Sequence, residues 1–190
     1  MKHYFTILML GALPLAAAEL DMSGVGRDLN GWNEDQLAWY GIDGLSFRAS
    51  TPVLRSLEGG TLEITMKLEQ VVKRVSVYTA EIRVVVTSDG LVRAAEISGE
   101  VDGAPFDTGE VTRPEMAVAA PDAVPVSAEA EMREQLSQSL DSAIVRARTS
   151  GKQARKDVTA RFFGADAGES GTLTKATDVA VKSLFRRVHP

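Results

Sequence analysis

Between Leu62 and Glu69 apolar and polar residues alternate strictly, with Leu62, Ile64, Met66 and Leu68 on one side of an extended chain and Glu63, Thr65, Lys67 and Glu69 on the other. That period of two predicts a strand with one dry and one wet face. Burying each apolar side chain contributes about 1.5 to 3 kcal/mol, so a one-residue slip in pairing is strongly disfavoured. Leu45 and Phe47 begin the same period upstream. Val75 to Thr87 is rich in β-branched residues, Ser88-Asp89-Gly90 has turn chemistry, and Leu91 to Val101 is extended again, which predicts a hairpin on an Asp-Gly turn. Val84-Val85-Val86 in succession predicts that both faces are covered at that point. A second pair, Asp102-Gly103, turns the chain toward Phe106. The run from Leu45 to about Val101 therefore reads as a meander of antiparallel strands.

The period changes to that of a helix from Ser127 to Arg148, where Met132, Leu136, Leu140, Ala143, Ile144 and Ala147 form one stripe. Ser127 is a good cap and Gly151 follows the end; Glu129 and Glu131 suit the positive pole, Arg146 and Arg148 the negative one. Thr174 to Val188 predicts a terminal helix with Val181, Leu184, Phe185 and Val188 on one face. Between the two, Val158, Ala160 and Phe162 alternate with Thr159 and Arg161, which predicts a strand over Asp157 to Phe163, and Gly164 to Gly171 reads as a turn. Near the start, Asn33 to Gly41 predicts a short helix, with Asn33 as cap, Gln36 completing a capping box, and Trp32 and Leu37 as the hydrophobic staple. Gly103 to Val126 holds four of the seven prolines and no sustained period. It is either a linker or a segment packed along the sheet edge, with Val111 in a short strand.

This order of elements predicts an α+β domain, an antiparallel meander with two C-terminal helices packed on one face. The alternative is an immunoglobulin-like β-sandwich with peripheral helices. In outline, the strand, glycine loop and amphipathic helix closing residues 127–190 resemble the ends of periplasmic accessory proteins that support outer-membrane assembly or transport. No specific motif accompanies that outline, and no family is assigned from it.

Residues 1–18 change the picture of where this domain works. Met1-Lys2-His3 is a short basic start, Tyr4 to Leu15 is almost wholly apolar, and Ala16-Ala17-Ala18 supplies the small residues that signal peptidases require. The apolar run, broken by Gly11 and Pro14, falls short of the roughly 18 residues a membrane span needs. A cleaved signal peptide followed by a single domain over 19–190 is expected, in the periplasm or on the cell surface of a bacterium. The chain has no cysteine, which removes disulfides, thiolate metal sites and cysteine nucleophiles.

Charge is segregated. Glu19 to Leu140 carries 21 acids against 10 bases, and Asp141 to Pro190 carries 5 acids against 10 bases. The basic set, Arg146, Arg148, Lys152, Arg155, Lys156, Arg161, Lys182, Arg186 and Arg187, is a candidate contact for an anionic polymer or an envelope protein. Nucleic acid is not expected of an exported acidic chain without an aromatic and basic stripe. Trp32, Trp39 and Tyr40 are candidates for stacking on a small ligand or a glycan, set against a role in the core.

Catalytic chemistry is scarce. One of two histidines is His3, within the leader, and the other, His189, is penultimate, so histidine triads and zinc sites are not expected. Thr149-Ser150-Gly151-Lys152 lacks the earlier glycine of a phosphate loop and is read as a helix exit, and Thr172 with Lys175 is too short a pattern to specify acyl transfer. Asp102 with Asp107, or Asp166 with Glu169, are carboxylate pairs of the kind a hydrolase needs, yet they lie in turns, where acids cap backbone groups. The expectation is a non-catalytic exported envelope protein that binds or helps to assemble a partner, without cofactor, metal or transmembrane span. A small-ligand or glycan binder is the alternative and a carboxylate hydrolase a weaker third. Expressed with an intact export pathway, the protein should be recovered with Glu19 as its first residue, which an intact mass checks directly.

Overall fold

Three long strands carry the structure: β3 (Leu62–Val72), β4 (Val75–Val86) and β5 (Val92–Val101) pair antiparallel in chain order. A computed structural model describes residues 22, 24–40, 45–72, 75–114, 127–150 and 170–188, with 33–40, 45, 72, 75 and 170–172 described in backbone alone. Alternation turns Leu62, Ile64, Met66 and Leu68 of β3 and Tyr78, Ala80, Ile82, Val84 and Val86 of β4 to one side, where all are buried. Each outer edge is shared by two short strands. β1 (Leu45–Ala49) and β2 (Val53–Ser56) both pair with β3, while β6 (Ala104–Asp107) and β7 (Val111–Thr112) both pair with β5.

At the break in each edge a hydroxyl residue completes the ladder. Ser50 donates its N–H to the Lys67 carbonyl at 2.8 Å and accepts the Lys67 N–H on Oγ at 3.0 Å. Thr108 does the same to Ile97 on the opposite edge, both contacts 3.0 Å. The β5–β6 connection is the two-residue hairpin expected of Asp102-Gly103, both with positive φ (52° and 67°).

Helices cover the apolar face: α1 (Gly24–Tyr40) packs on β1, α2 (Ala128–Ser150) on β5, β6 and β7, and α3 (Ser170–Val188) lies between them over β4. The α+β architecture with two C-terminal helices on one face is thus the observed one, and the sandwich alternative is set aside. In α2 the buried positions are Ala128 and the six residues of the predicted stripe, and Ser127 Oγ accepts the Ala130 N–H at 3.1 Å as its cap. α3 buries Leu173, Ala176, Ala180, Val181, Leu184, Phe185 and Val188.

Several expectations need correction. α1 starts nine residues before Asn33, so Asn33 is not a cap and Trp32 is not a staple; Met22, Val25, Leu29 and Trp32 recur at helical spacing and pack into the core. Gly24, Gly26 and Gly31 lower the intrinsic propensity there, and packing of that stripe overrides it. β2 carries no expectation from the sequence, because Val53 points outward and is 67 % exposed. α3 begins at Ser170 and absorbs Gly171, assigned above to a turn. Val85 is half-buried between Glu63 and Ala94 of the neighbouring strands, and among the described residues no second layer lies over it. Gly103 to Pro114 takes the edge alternative, whereas residues 115–126, residues 1–18, where a signal peptide is expected, and the strand expected over Asp157 to Phe163 lie outside the described residues.

One glycine is demanded by close approach. Gly99 sits opposite Ala80 on one side and Phe106 on the other, and the Tyr78 and Phe106 rings stack across that part of β5, centroids 5.6 Å apart and planes within 2°. A Cβ at Gly99 would fall 1.9 Å from the Thr79 carbonyl oxygen, so any side chain forces the β4–β5 backbones apart. Gly99→Ala should cost about 1 to 3 kcal/mol, read as a lower urea midpoint with an unchanged denaturant slope.

Candidate binding groove

The stripe that α2 buries leaves Gln135, Gln138, Ser139, Ser142 and Arg146 along its flank, facing the β5 edge segment of Thr108, Glu110, Val111 and Thr112. Between these two walls lies an open groove of about 610 Å³, lined chiefly by hydroxyl and amide groups. Its strand wall is well anchored. Asp107 Oδ1 accepts the Gly109 N–H at 2.7 Å, and Glu110 lies 3.5 Å from Arg83 on the uncovered face of the sheet. Arg83 also bonds Glu63 at 2.8 Å and Glu96 at 3.0 Å, and the Glu63 hydrogen bond, opposed by desolvation and aided by Glu96, holds its guanidinium above the usual arginine range. A second concavity of about 580 Å³ lies on that uncovered face around Lys67, Glu69, Thr79, Glu81 and Gly99, with Lys67 and Glu81 3.9 Å apart.

Of the candidate contact residues read from the sequence, Arg146 lines the groove, exposed at its end, and Val111, expected in a short edge strand, lies in the opposite wall. Arg148 is 3.3 Å from Asp102 and ties the last turn of α2 to the β5–β6 turn. Arg186 and Arg187 fold onto α1, where Asp28 Oδ2 receives them at 2.7 and 3.2 Å together with the Ser183 hydroxyl at 2.5 Å. Lys182 is exposed on α3, and Lys152, Arg155, Lys156 and Arg161 lie outside the described residues. The basic set is therefore not one patch in the described part of the fold: two of its members secure α1 to α3 and a third secures α2.

Trp32 meets Phe47 edge-on, centroids 5.5 Å apart at 73°, and is partly buried against the core. Trp39 and Tyr40 lie in the last turn of α1, where the backbone alone is described. Asp102 and Asp107 serve the turns that hold them, through Arg148 and the Gly109 N–H, while Asp166 and Glu169 lie outside the described residues. Among the described residues no group of three or more His, Cys, Asp or Glu residues is placed to hold a metal ion, and no helix is long and apolar enough to cross a membrane. Comparison of the chain with protein-family models, with curated proteins and with solved structures finds no match.

The groove walls escaped the sequence reading because neutral polar residues give no periodic hydrophobic signal. One signal was available: Gln135, Gln138, Ser142 and Arg146 recur at helical spacing beside the apolar stripe, a run with few charges on an otherwise charged helix surface.

Asp28 generates a pH dependence. The Ser183 hydrogen bond, opposed by desolvation and reinforced by Arg187 and Arg186, holds its carboxyl below the usual aspartate range. The folded chain then binds fewer protons than the unfolded chain in the interval between the two pKa values. Its contribution is complete above the unfolded value of about 3.9 and is lost as pH falls through the folded value. Asp28→Asn should lower stability by about 1 kcal/mol at neutral pH, and the gap to wild type should close as the pH is taken below about 4, measured by denaturant titration across pH.

Proposed function

We propose that the protein is a non-catalytic module of the cell envelope, exported by its N-terminal leader, that binds or helps to assemble another envelope component. The observation that carries this reading is the open polar groove at one sheet edge, with one rigid wall from the ladder and another from a capped helix. Its lining of hydroxyls and amides suits reversible recognition, since such groups exchange hydrogen bonds with water and with a partner at little net cost. Of the ionisable groups in or beside it, Glu110 and Arg148 hold the fold, on Arg83 and on Asp102, and Arg146 is exposed at its end. Trp32, engaged with Phe47, supports a structural role over a sugar-stacking platform.

Mature protein immobilised and exposed to envelope extracts should retain a reproducible partner at low and at moderate salt. Return of no partner under either condition overturns the proposal.

A further inference from the structure

We infer that the groove between β7 and α2 receives an extended peptide, which joins the sheet as a strand alongside β7 beneath the polar flank of α2. The inference rests on the binding-module reading above and names its partner class. Ladder phase is the first support. The Arg113 N–H donates to the Arg93 carbonyl at 2.8 Å, and the register places Val111 opposite Ala95 and Thr112 opposite Ala94. In an antiparallel ladder, hydrogen-bonded and non-bonded pairs alternate. Arg113 and Val111 therefore turn their backbone groups to β5, and Thr112 and Glu110 turn theirs away from it, on the edge that borders the groove. A guest strand needs donors and acceptors at that two-residue spacing, and pairing of this kind is a recurrent mode of peptide capture.

Length is the second. From Gln135 to Arg146 the α2 wall spans twelve residues, about 16 Å over eleven steps of about 1.5 Å, which matches about five residues of extended chain. Charge is the third. The Arg148–Asp102 pair sets α2 antiparallel to the edge segment, which places Arg146 at the Thr108 end of the groove. Among the described residues no carboxylate lies within ion-pair distance of Arg146, so an acidic side chain or a terminal carboxylate of the guest pairs with it there. Gln135, Gln138 and Ser142 offer amide and hydroxyl groups to the guest's remaining polar groups.

A displayed library of random hexapeptides, selected against the full mature chain, supplies the probes, and the enriched sequences are then synthesised and titrated. Enriched peptides should carry Asp, Glu or a free carboxylate at one end. N-methylation at alternate positions should weaken them about tenfold while methylation at the intervening positions should not. Thr112→Pro removes an N–H that faces away from β5 and so spares the β5–β7 ladder; it and Ser142→Trp, which fills the groove from the helix side, should each weaken binding at least about tenfold. Arg146→Glu should weaken the acidic peptides by a similar factor. Should Thr112→Pro fail to fold, Ser142→Trp and the methylation series decide the question alone. The inference is overturned if no hexapeptide is enriched, or if enriched peptides bind the Ser142→Trp protein undiminished and tolerate methylation at every position. A partner still retained from envelope extracts in that event leaves the module reading standing and removes only the groove as its seat.

Discussion

The inward side chains of β3, β4 and β5 form one surface that is apolar apart from groups such as the buried Gln70 near the end of β3, and the need to remove it from water decides where every other element lies. A sheet so patterned is stable only when its dry face is covered, and three helices do this side by side in the order α1, α3, α2. The central helix is the most enclosed. Leu173, Ala176, Ala180, Val181, Leu184 and Phe185 are all buried, and its two small alanines let neighbouring elements approach closely. The opposite face meets solvent with charged side chains in cross-strand apposition, among them Arg48 opposite Glu69, Lys67 opposite Glu81 and Arg83 opposite Glu96. With one face covered by helices and the other lined by charge, the lateral edge beside α2 is where the groove of neutral polar groups forms.

Apolar contact alone does not orient a helix on a sheet, because such contact is non-directional. Here each helix carries a polar tie at its margin: Asp28 with Ser183, Arg186 and Arg187 joins α1 to α3, Arg133 with Asp178 at 2.9 Å joins α2 to α3, and Arg148 with Asp102 joins α2 to the sheet. Partly exposed pairs of this kind add about 0 to 1 kcal/mol each, so their larger effect is on register. Inside the layer the Tyr78 hydroxyl, 3.0 Å from Thr177 Oγ1, donates to it, since Thr177 itself donates to the Leu173 carbonyl at 2.8 Å. Burial pushes the Tyr78 hydroxyl's pKa well above the ordinary tyrosine value, so it stays a donor. That chain of two hydroxyls settles the rotation of α3 over β4.

How far the sequence could be read follows from how each element is stabilised. β3 and α2 present regular periods to a single apolar face, and their positions and inward residues are legible directly, whereas β4 is legible as an extended run from its β-branched content but not in which of its residues face inward. α1 is not, because three glycines interrupt its stripe and its helicity comes from packing against β1 and α3. β2 is a short edge strand held by hydrogen bonds to a longer neighbour, and bonds between backbones leave no trace in side-chain pattern; β7, held in the same way, was legible only as the short edge strand expected at Val111. The groove was hidden for a related reason: it is a gap between two elements distant in sequence, and only the Arg148–Asp102 tie and the covered face bring them together. The same distance explains the basic residues, whose clustering in sequence did not reveal that Asp28, far upstream, takes up two of them.

Ser50 and Thr108, at the breaks in the two edges, have a bearing on how the molecule behaves among copies of itself. Each hydroxyl takes the place of the carbonyl that would otherwise accept a ladder hydrogen bond, so the edge strand departs without leaving its neighbour's amide unpaired. Neither edge then offers a flat run longer than about five residues, which is too short to template sheet growth from molecule to molecule. A long exposed edge is a standing route to polymerisation, and here two side-chain oxygens at the breaks help to close it, together with Pro52 between β1 and β2 and Pro105 within β6. A guest of a few residues can still be accommodated, while an indefinite stack of strands cannot.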